Sequence, residues 1–427
     1  MKKMDYQNVK GTQDYLPESE VIRRKVRRTL EDVFIQYGCK PLETPILNYS
    51  ELLASKYGGG SEIIEEMYTL SDRGERQLAL RYDLTIPFAK VIAMNPSMRM
   101  PFKRYEIGKV FRDGPIKTGR LREFIQCDVD IVGVNSQIAE AELMVMALDA
   151  FRKLELDVEI QYNNRKLLTG MLEVFKTPAE KINEVVLILD KLDKIGIDAV
   201  IEELTEKGLQ ETTLNKINQF LMEKNNSTFQ YFEVYSKENE LVRWGLKELN
   251  ELSSYLKYLN VDMKCRFNPF LARGLDIYTG TIYELFLTNK TIQSSIGSGG
   301  RYDNAIGGLI GTNETFSTVG ISFGLDVIYT ALNESNIDVK NDTRIDYLVI
   351  PIKTEKESLL VASDLRSKGF RVELEMSGKK LGKVLNKANK ERVKNVVIVG
   401  ENEVLNNEIQ VKDMASGEIT MGKFPFH

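Results

Sequence analysis

Residues 271–284 read LARGLDIYTGTIYE. One arginine, two carboxylates and two phenols surround Gly274, Thr279 and Gly280, and β-branched and aromatic residues follow. That composition predicts a loop feeding a strand, with Arg273 at the mouth of the loop. A second segment of the same character stands at 297–307, GSGGRYDNAIG, where glycines again surround an arginine, a tyrosine and an aspartate. Two polar, glycine-paved segments so close in sequence predict a small-molecule pocket into which the backbone approaches closely.

Working outward, 427 residues exceed what one core organises, so two or three domains are expected. With 42% hydrophobic and 28% charged residues the composition is that of a globular protein, and no apolar run is long enough to cross a membrane. The opening MKKMDYQNVKGTQDYLPE has no apolar stretch after its lysines, so a secretory signal is not expected. Cys39, Cys127 and Cys265 are isolated and the single histidine is His427, which argues against a His/Cys metal site and fits a reduced, cytoplasmic setting. The net charge is −4, but residues 344–427 carry 15 basic and 12 acidic side chains, leaving −7 on the rest. Any RNA contact by the mildly basic C-terminal part would therefore be local.

Apolar residues Ile22, Val26, Leu30, Val33 and Phe34 recur at helical spacing between Glu18 and Tyr37, and Gly38 ends the run. KPLETPILNYSELL follows as a predicted strand broken by Pro45. Residues 66–88 read as a hairpin, and 102–133 as a strand–loop–strand unit whose loop, 113–119, is flanked by Arg112, Arg120 and Arg122. From 165 to 259 glycine is scarce, and the pattern is that of amphipathic helices inserted in an α/β region. Strand-like sequence returns at Val261 and runs to Leu332, and the polar stretch 333–343 reads as a linker. The tail alternates apolar strands and helices as a βαβαβ layer. Within it Lys379, Lys383, Lys387, Lys390 and Lys394 fall on one predicted helix face, with Glu391 the one acid noted nearby. Such a face is either solvated or neutralised by a polyanion.

Several residue types in this pattern point to chemistry. Arg112 closes one predicted strand and Arg273 opens another; facing one pocket, they would form an anion clamp suited to phosphate and carboxylate oxygens. Asp83, Thr85, Gln126 and Asp130 sit on segments read as strands, either at a solvent-facing edge or on a pocket floor that would recognise an ammonium. Arg301 and Tyr302 either line the pocket wall or flank a glycine-permitted bulge.

These segments carry a resemblance that runs through nearly the whole chain. LARGLDIYTGTIYE and GSGGRYDNAIGG resemble the two histidine-specific motifs of the histidyl-tRNA synthetase family. The helix–strand–proline unit, the 102–133 unit and GISFGLDVI (320–328) resemble motifs 1, 2 and 3 of class II synthetases. The resemblance implies an α+β chain: an antiparallel-sheet catalytic domain over 1–332 with a helical insertion at 165–259, a linker, and an α/β anticodon-binding domain over 344–427. It implies ATP-dependent activation of histidine and transfer to tRNA(His), with Mg²⁺ accompanying ATP, in a cytoplasmic homodimer whose first helix and strand build the interface. Arg112 and Arg273 would be catalytic, Arg112 on the ATP α-phosphate and Arg273 on the α-phosphate and the substrate carboxylate. Asp83, Thr85 and Gln126 match positions that hold the histidine α-amino group. Asp130 and Tyr278 match those that bracket its ring, and Leu275 and Tyr302 belong to the same pocket. Arg120, Gly320 and Gly324 would serve ATP, and Lys117, Lys379, Lys383 and Lys387 would serve tRNA. One position departs. The family usually carries an arginine against the ATP γ-phosphate where Val327 stands. Either Arg120 and Mg²⁺ carry the triphosphate tail, or ATP binds weakly, or the chain is a non-ligating relative. The last would be a histidine-sensing paralogue; a regulatory subunit of ATP phosphoribosyltransferase is the other alternative.

Overall fold

The structure is a computed structural model; it describes residues 6–55, 64–117, 119–223, 226–273, 277–312, 314–334 and 345–426. Two compact units divide the chain, Met1–Ile337 and Asp338–His427. Most of the stretch read as a linker lies outside the described residues.

In the first unit the strands, in chain order, are β1 (Lys40–Pro41), β2 (Leu47–Tyr49), β3 (Thr69–Ser71), β4 (Gln77–Leu80), β5 (Phe102–Phe111) and β6 (Glu123–Val132), then β7 (Val158–Asn164), β8 (Cys265–Phe267), β9 (Thr281–Leu287), β10 (Gly297–Arg301) and β11 (Thr318–Gly324). Among the described residues, eight of them form one sheet in the order β1-β5-β6-β11-β10-β9-β7-β8. Only the outermost pairs, β1 with β5 and β7 with β8, are parallel. Strands β2, β4 and β3 form a small separate sheet.

Period-two alternation gives the large sheet one apolar and one polar face. Tyr105 and Ile107 on β5, Cys127, Val129 and Ile131 on β6, and Val319, Ile321 and Phe323 on β11 join the main core. Helix Pro17–Gln36 buries Val26, Leu30, Val33 and Phe34 in that core, and helix Ile138–Lys153 adds Leu143, Met144, Ala147 and Phe151. Pro17 at the first helical position and Glu18 and Glu20 in the first turn suit the helix start. The other face carries Arg104 and Glu106, then Gln126, Asp128 and Asp130, then Gly320, Ser322 and Gly324. Across the strands Arg104 pairs in register with Asp130, Glu106 with Asp128, Asp130 with Gly320, and Asp128 with Ser322. The helices between 165 and 259 pack into the same core through Leu167, Leu168, Leu249 and Leu252.

Several expectations are corrected. The stretch 66–88 forms a hairpin only at β3 and β4; residues from Thr85 form a helix, Thr85–Met94. Asp83 therefore precedes a helix and Thr85 opens it, rather than lying on a strand. Asp83 Oδ1 accepts the Ile86 N–H at 3.2 Å, and Pro87 lies in the first turn, where it forfeits no helical bond. The burial of Ile86, Phe88, Ala89 and Ile92 then favours the helix. KPLETPILNYSELL breaks into β1, β2 and a helix, Ser50–Leu53. The segment 297–301 is a core strand, not a loop. Its glycines are required by packing: a Cβ on Gly299 would stand 2.0 Å from the Gly320 carbonyl oxygen.

The second unit forms a five-stranded sheet, with β12 (Tyr347–Ile352), β13 (Val372–Leu374), β14 (Asn395–Gly400), β15 (Glu408–Asp413) and β16 (Ile419–Lys423) in the order β13-β12-β14-β15-β16. The first three are parallel and the last two antiparallel. Helices Glu355–Ser367 and Leu381–Lys390 cover opposite faces, since Val361 and Ala362 pack with Val349 and Val397 while Val384 and Ala388 pack with Leu348 and Val396. The sequence reading missed β15 and β16, whose solvent-facing residues lack a strong apolar pattern. It also overstated the lysine stripe. Lys379 precedes the helix, Lys387 pairs with Glu373 at 3.0 Å as well as Glu391, and Lys394 pairs with Asp346 at 2.8 Å. Lys379 and Lys383 are exposed.

Candidate active site

Two adjoining cavities open on the polar face of the large sheet. The inner one, ≈ 50 Å³, is lined by Asp83, Thr85, Asp128, Asp130, Tyr278 and Tyr302. The outer one, ≈ 340 Å³, is lined by Arg112, Arg120, Gln126, Arg273, Gly324 and Val327. They share Ser298 and Ser322, so a ligand can span both. The inner volume suits a small ring, and the outer has room for a larger anion. A cavity of ≈ 500 Å³ lies elsewhere, between helices carrying Glu173, Lys216 and Tyr235, but none of the buried side chains without a hydrogen-bond partner lines it.

The outer cavity collects cations from three places. Arg112 stands at the end of β5, its Nε donating to the Tyr82 carbonyl at 3.0 Å and its guanidinium 5.3 Å from the Phe124 ring centroid. Arg120 closes a turn with Lys117 through reciprocal backbone bonds of 3.1 and 2.8 Å, and its side chain pairs with Glu66 at 3.3 Å. Lys117 is exposed. Gly119 in that turn has φ +72°, and a Cβ there would meet Val327 Cγ2 at 2.6 Å, so Val327 seats the turn. Arg273 reaches in from the loop before β9. It is ion-paired with Glu284, and its Nε has no hydrogen-bond partner among the described residues. Burial disfavours its charge, yet Glu284 and Tyr278 hold its pKa above the ordinary arginine value.

The inner cavity is acidic. Burial pushes the Asp83 carboxyl up to about 6, against the opposing pull of the Ile86 N–H and Arg112. Gln126 donates to the Ser322 hydroxyl at 3.1 Å, and its Oε1 has no hydrogen-bond partner among the described residues. Asp130 lines the cavity: Oδ1 accepts the Tyr302 hydroxyl, and Oδ2, ion-paired with Arg104 at 2.7 Å, makes no hydrogen bond among the described residues. A Cβ on Gly320 would stand 2.0 Å from Asp130 Oδ1, so only glycine fits opposite it. Arg104 is fully buried, and the Phe88 ring centroid lies 4.4 Å from its guanidinium.

Of the residues singled out from sequence, Asp83, Thr85, Gln126, Asp130, Tyr278 and Tyr302 come together with Arg112, Arg120 and Arg273 around these two cavities, and Gly320 and Gly324 floor them. Leu275 lies outside the described residues. Arg301 faces away: it donates to Glu140 at 2.6 and 2.8 Å and to the Val134 carbonyl at 2.9 Å. Sequence reading missed Asp128, Ser298, Ser322, Arg104 and Glu284. For Asp128 the signal was present, since 126, 128 and 130 share a face on any strand.

A largely antiparallel sheet ending in a strand-to-helix turn, with arginines gathered over its polar face, matches the class II aminoacyl-tRNA synthetase catalytic unit that the sequence resemblance implies. Residues 11–328 match the histidyl-tRNA synthetase family and residues 346–424 the anticodon binding domain family. Among curated relatives, histidine–tRNA ligase 2 of Shouchella clausii (strain KSM-K16) is 59% identical over 98% of this chain and 98% of its own length. Histidine–tRNA ligase 1 of Bacillus cereus is 55% identical, covering 97% of this chain and 96% of that one. The solved histidyl-tRNA synthetase of Nostoc sp. PCC 7120 superposes with a TM-score of 0.83 at 30% identity, covering 99% of this chain and 97% of that chain. The chain belongs to the histidyl-tRNA synthetase family. Relatives of that identity and coverage do not favour the regulatory-subunit or sensing alternatives.

Proposed function

We propose that this chain is a histidine–tRNA ligase acting through the two adjoining cavities. The observation that carries the reading is the sharing of Ser298 and Ser322 between an acidic inner cavity and an arginine-lined outer one. An amino acid bound with its side chain inward would present its carboxylate at that junction, beside Arg112 and Arg273. Asp83, Thr85 and Gln126 would hold the α-amino group, while Asp130 and Tyr278 would read the ring. Gly320, Gly324, Arg112 and Arg120 would bind ATP. A histidine carboxylate oxygen attacks the α-phosphorus; the new O–P bond forms as the bond to pyrophosphate breaks. No protein base is required, because the nucleophile is already ionised. Arg112 and Arg273 stabilise the charge that gathers on the α-phosphoryl oxygens. The 3′-terminal ribose hydroxyl of tRNA(His) then attacks the acyl carbon and releases AMP.

Among the described residues no group of three or more His, Cys, Asp or Glu is placed to hold a metal ion. Mg²⁺ is therefore proposed to enter on the nucleotide, and no step is assigned to it. Among the described residues no helix is long and apolar enough to cross a membrane, and a cytoplasmic setting is proposed from the reduced cysteines. A homodimer is proposed through the first helix and the strand that follows it, as the resemblance implies, where Ile35, Leu47 and Tyr49 remain exposed.

Histidine charging of a tRNA(His) transcript tests the reading. Robust charging with histidine and none with other amino acids is the expected result; no charging at saturating ATP contradicts it. With Val327 seating the turn rather than contacting phosphate, Arg120 is the proposed partner of the ATP tail. Arg120→Ala is expected to raise the KM for ATP on the order of 10-fold, with little change in that for histidine. Equal changes in both would place Arg120 elsewhere. The exposed pair Lys379 and Lys383 is proposed to contact tRNA, as is Lys117, with Lys387 held partly by Glu373. Reversing Lys379 and Lys383 to Glu should weaken charging. Its log–log salt slope should become shallower by roughly 1.5 to 2, while pyrophosphate exchange is spared. An unchanged salt slope would mark those lysines as a solvated face.

A further inference from the structure

A further cavity, ≈ 270 Å³, lies behind the large sheet, against helix Pro17–Gln36. Arg23, Arg24, Arg27 and Arg28 line it from the helix together with Glu20 and Glu31, and Ile125 and Leu325 close it from the sheet side. Positions 20, 23, 24, 27, 28 and 31 fall on one face of a helix, so four guanidiniums and two carboxylates face one small space. Both carboxylates are already engaged: Glu20 pairs with Arg24 at 3.1 Å, and Glu31 accepts the Tyr105 hydroxyl at 3.0 Å. Arg23 is 6% exposed, its guanidinium carbon 3.6 Å from the Tyr15 ring centroid. Its Nε, 3.5 Å from Glu20, has no hydrogen-bond partner among the described residues. Arg27 and Arg28 are exposed, with no ion pair or hydrogen bond among the described residues. Asp326 separates this cavity from the outer one, which it lines with Gln126, while the adjacent Leu325 and Ile125 turn to the arginine side. It has no capacity to spare for the rim arginines: Oδ1 accepts from Arg23 and from the Tyr15 hydroxyl, and Oδ2 accepts the Ile125 N–H at 2.9 Å.

We propose that this arginine-lined cavity binds a small polyphosphate anion, at a site separate from the two substrate cavities. The proposal is independent of the ligase reading. Guanidinium forks match phosphate oxygens in pairs, and an oligophosphate carries enough charge to satisfy Arg27 and Arg28 at the rim and the Arg23 Nε at the base. The burial of Arg23 favours a small anion over an RNA backbone. RNA laid along the helix would meet Arg24, Arg27 and Arg28, which are exposed, and leave Arg23 untouched. Charge also disfavours a second copy of the chain as the occupant, since a twofold contact centred on this patch would set arginines against arginines. The exposed apolar residues named for the homodimer, Ile35, Leu47 and Tyr49, do not line the cavity.

The test is calorimetric titration of the full chain with inorganic tripolyphosphate at low salt. The outer cavity also attracts such an anion, so wild type is compared with Arg120→Ala and with the double variant Arg27→Ala/Arg28→Ala. Wild type should bind tripolyphosphate, with an affinity that falls as salt is raised. One binding event should persist in Arg120→Ala and weaken on the order of 10-fold or more in the double variant. Arg27 and Arg28 are exposed, so the double variant should melt like wild type; Arg27→Gln/Arg28→Gln gives the same comparison if it does not. No binding by wild type would overturn the proposal, as would a double variant that titrates like wild type or a loss confined to Arg120→Ala. If the double variant keeps its tripolyphosphate affinity but loses affinity for a tRNA transcript, the arginines serve an RNA backbone and the small-anion site is wrong. If it keeps that affinity but sediments as a smaller species than wild type, they serve a contact between copies, and the proposal fails equally.

Discussion

Arg273→Ala should lower histidine-dependent ATP–pyrophosphate exchange by about 10²–10³, the usual consequence of losing one preorganised transition-state donor. The loss should fall mainly on kcat. Arg273 is held by Glu284 in the empty site, so its orientation does not depend on substrate. Its Nε, without a hydrogen-bond partner among the described residues, is the donor proposed for an oxygen at the cavity junction. Removing it leaves the sheet intact, because Arg273 sits on the loop before β9 and is partly exposed. A variant that melts like wild type and exchanges at a near-normal rate would take Arg273 out of the mechanism. Arg273→Lys should recover little, since a point charge cannot reproduce the forked donor geometry.

Arg104→Ala should have the largest effect on stability, a loss of about 3–5 kcal/mol measured by denaturant unfolding. Arg104 is wholly buried, lies 2.7 Å from Asp130 and 3.5 Å from Glu106, and donates to the Leu84 carbonyl at 3.1 Å. Without it Asp130 and Asp128 stay buried and lose the positive charge that opposes their burial, so both favour the protonated form more strongly. A raised folded-state pKa on a carboxyl makes stability fall as pH rises from the unfolded value, about 3.9 for Asp, through the folded one. The deficit of the variant should therefore be smaller at pH 5 than at pH 8. A deficit below about 1 kcal/mol, or one independent of pH, would mean that Arg104 does not neutralise this layer.

Much of this architecture is legible in the sequence because it rests on short-range rules. Alternation marks β5, β6 and β11, and helical spacing marks Pro17–Gln36; the glycines of 297–301 signal close backbone approach but not that the segment is a strand. What was not legible depends on partners distant in sequence. Thr85–Met94 alternates like a strand for its first residues, and only the burial of Phe88 and Ile92 against Val132 and Ile306 selects the helix. Arg301 resembles a pocket residue until Glu140, far away in sequence, claims it. The lysine stripe reads as unopposed charge because Glu373 and Asp346 come from other elements.

Val327 makes the catalytic claim sharp, since the ATP tail must be held without a guanidinium at that position. The most direct measurement is histidine-dependent exchange of labelled pyrophosphate into ATP by the full chain, with Mg²⁺ saturating and tRNA absent. The account predicts exchange that saturates with histidine and is absent with other amino acids. Histidine binding without any exchange under those conditions would contradict it.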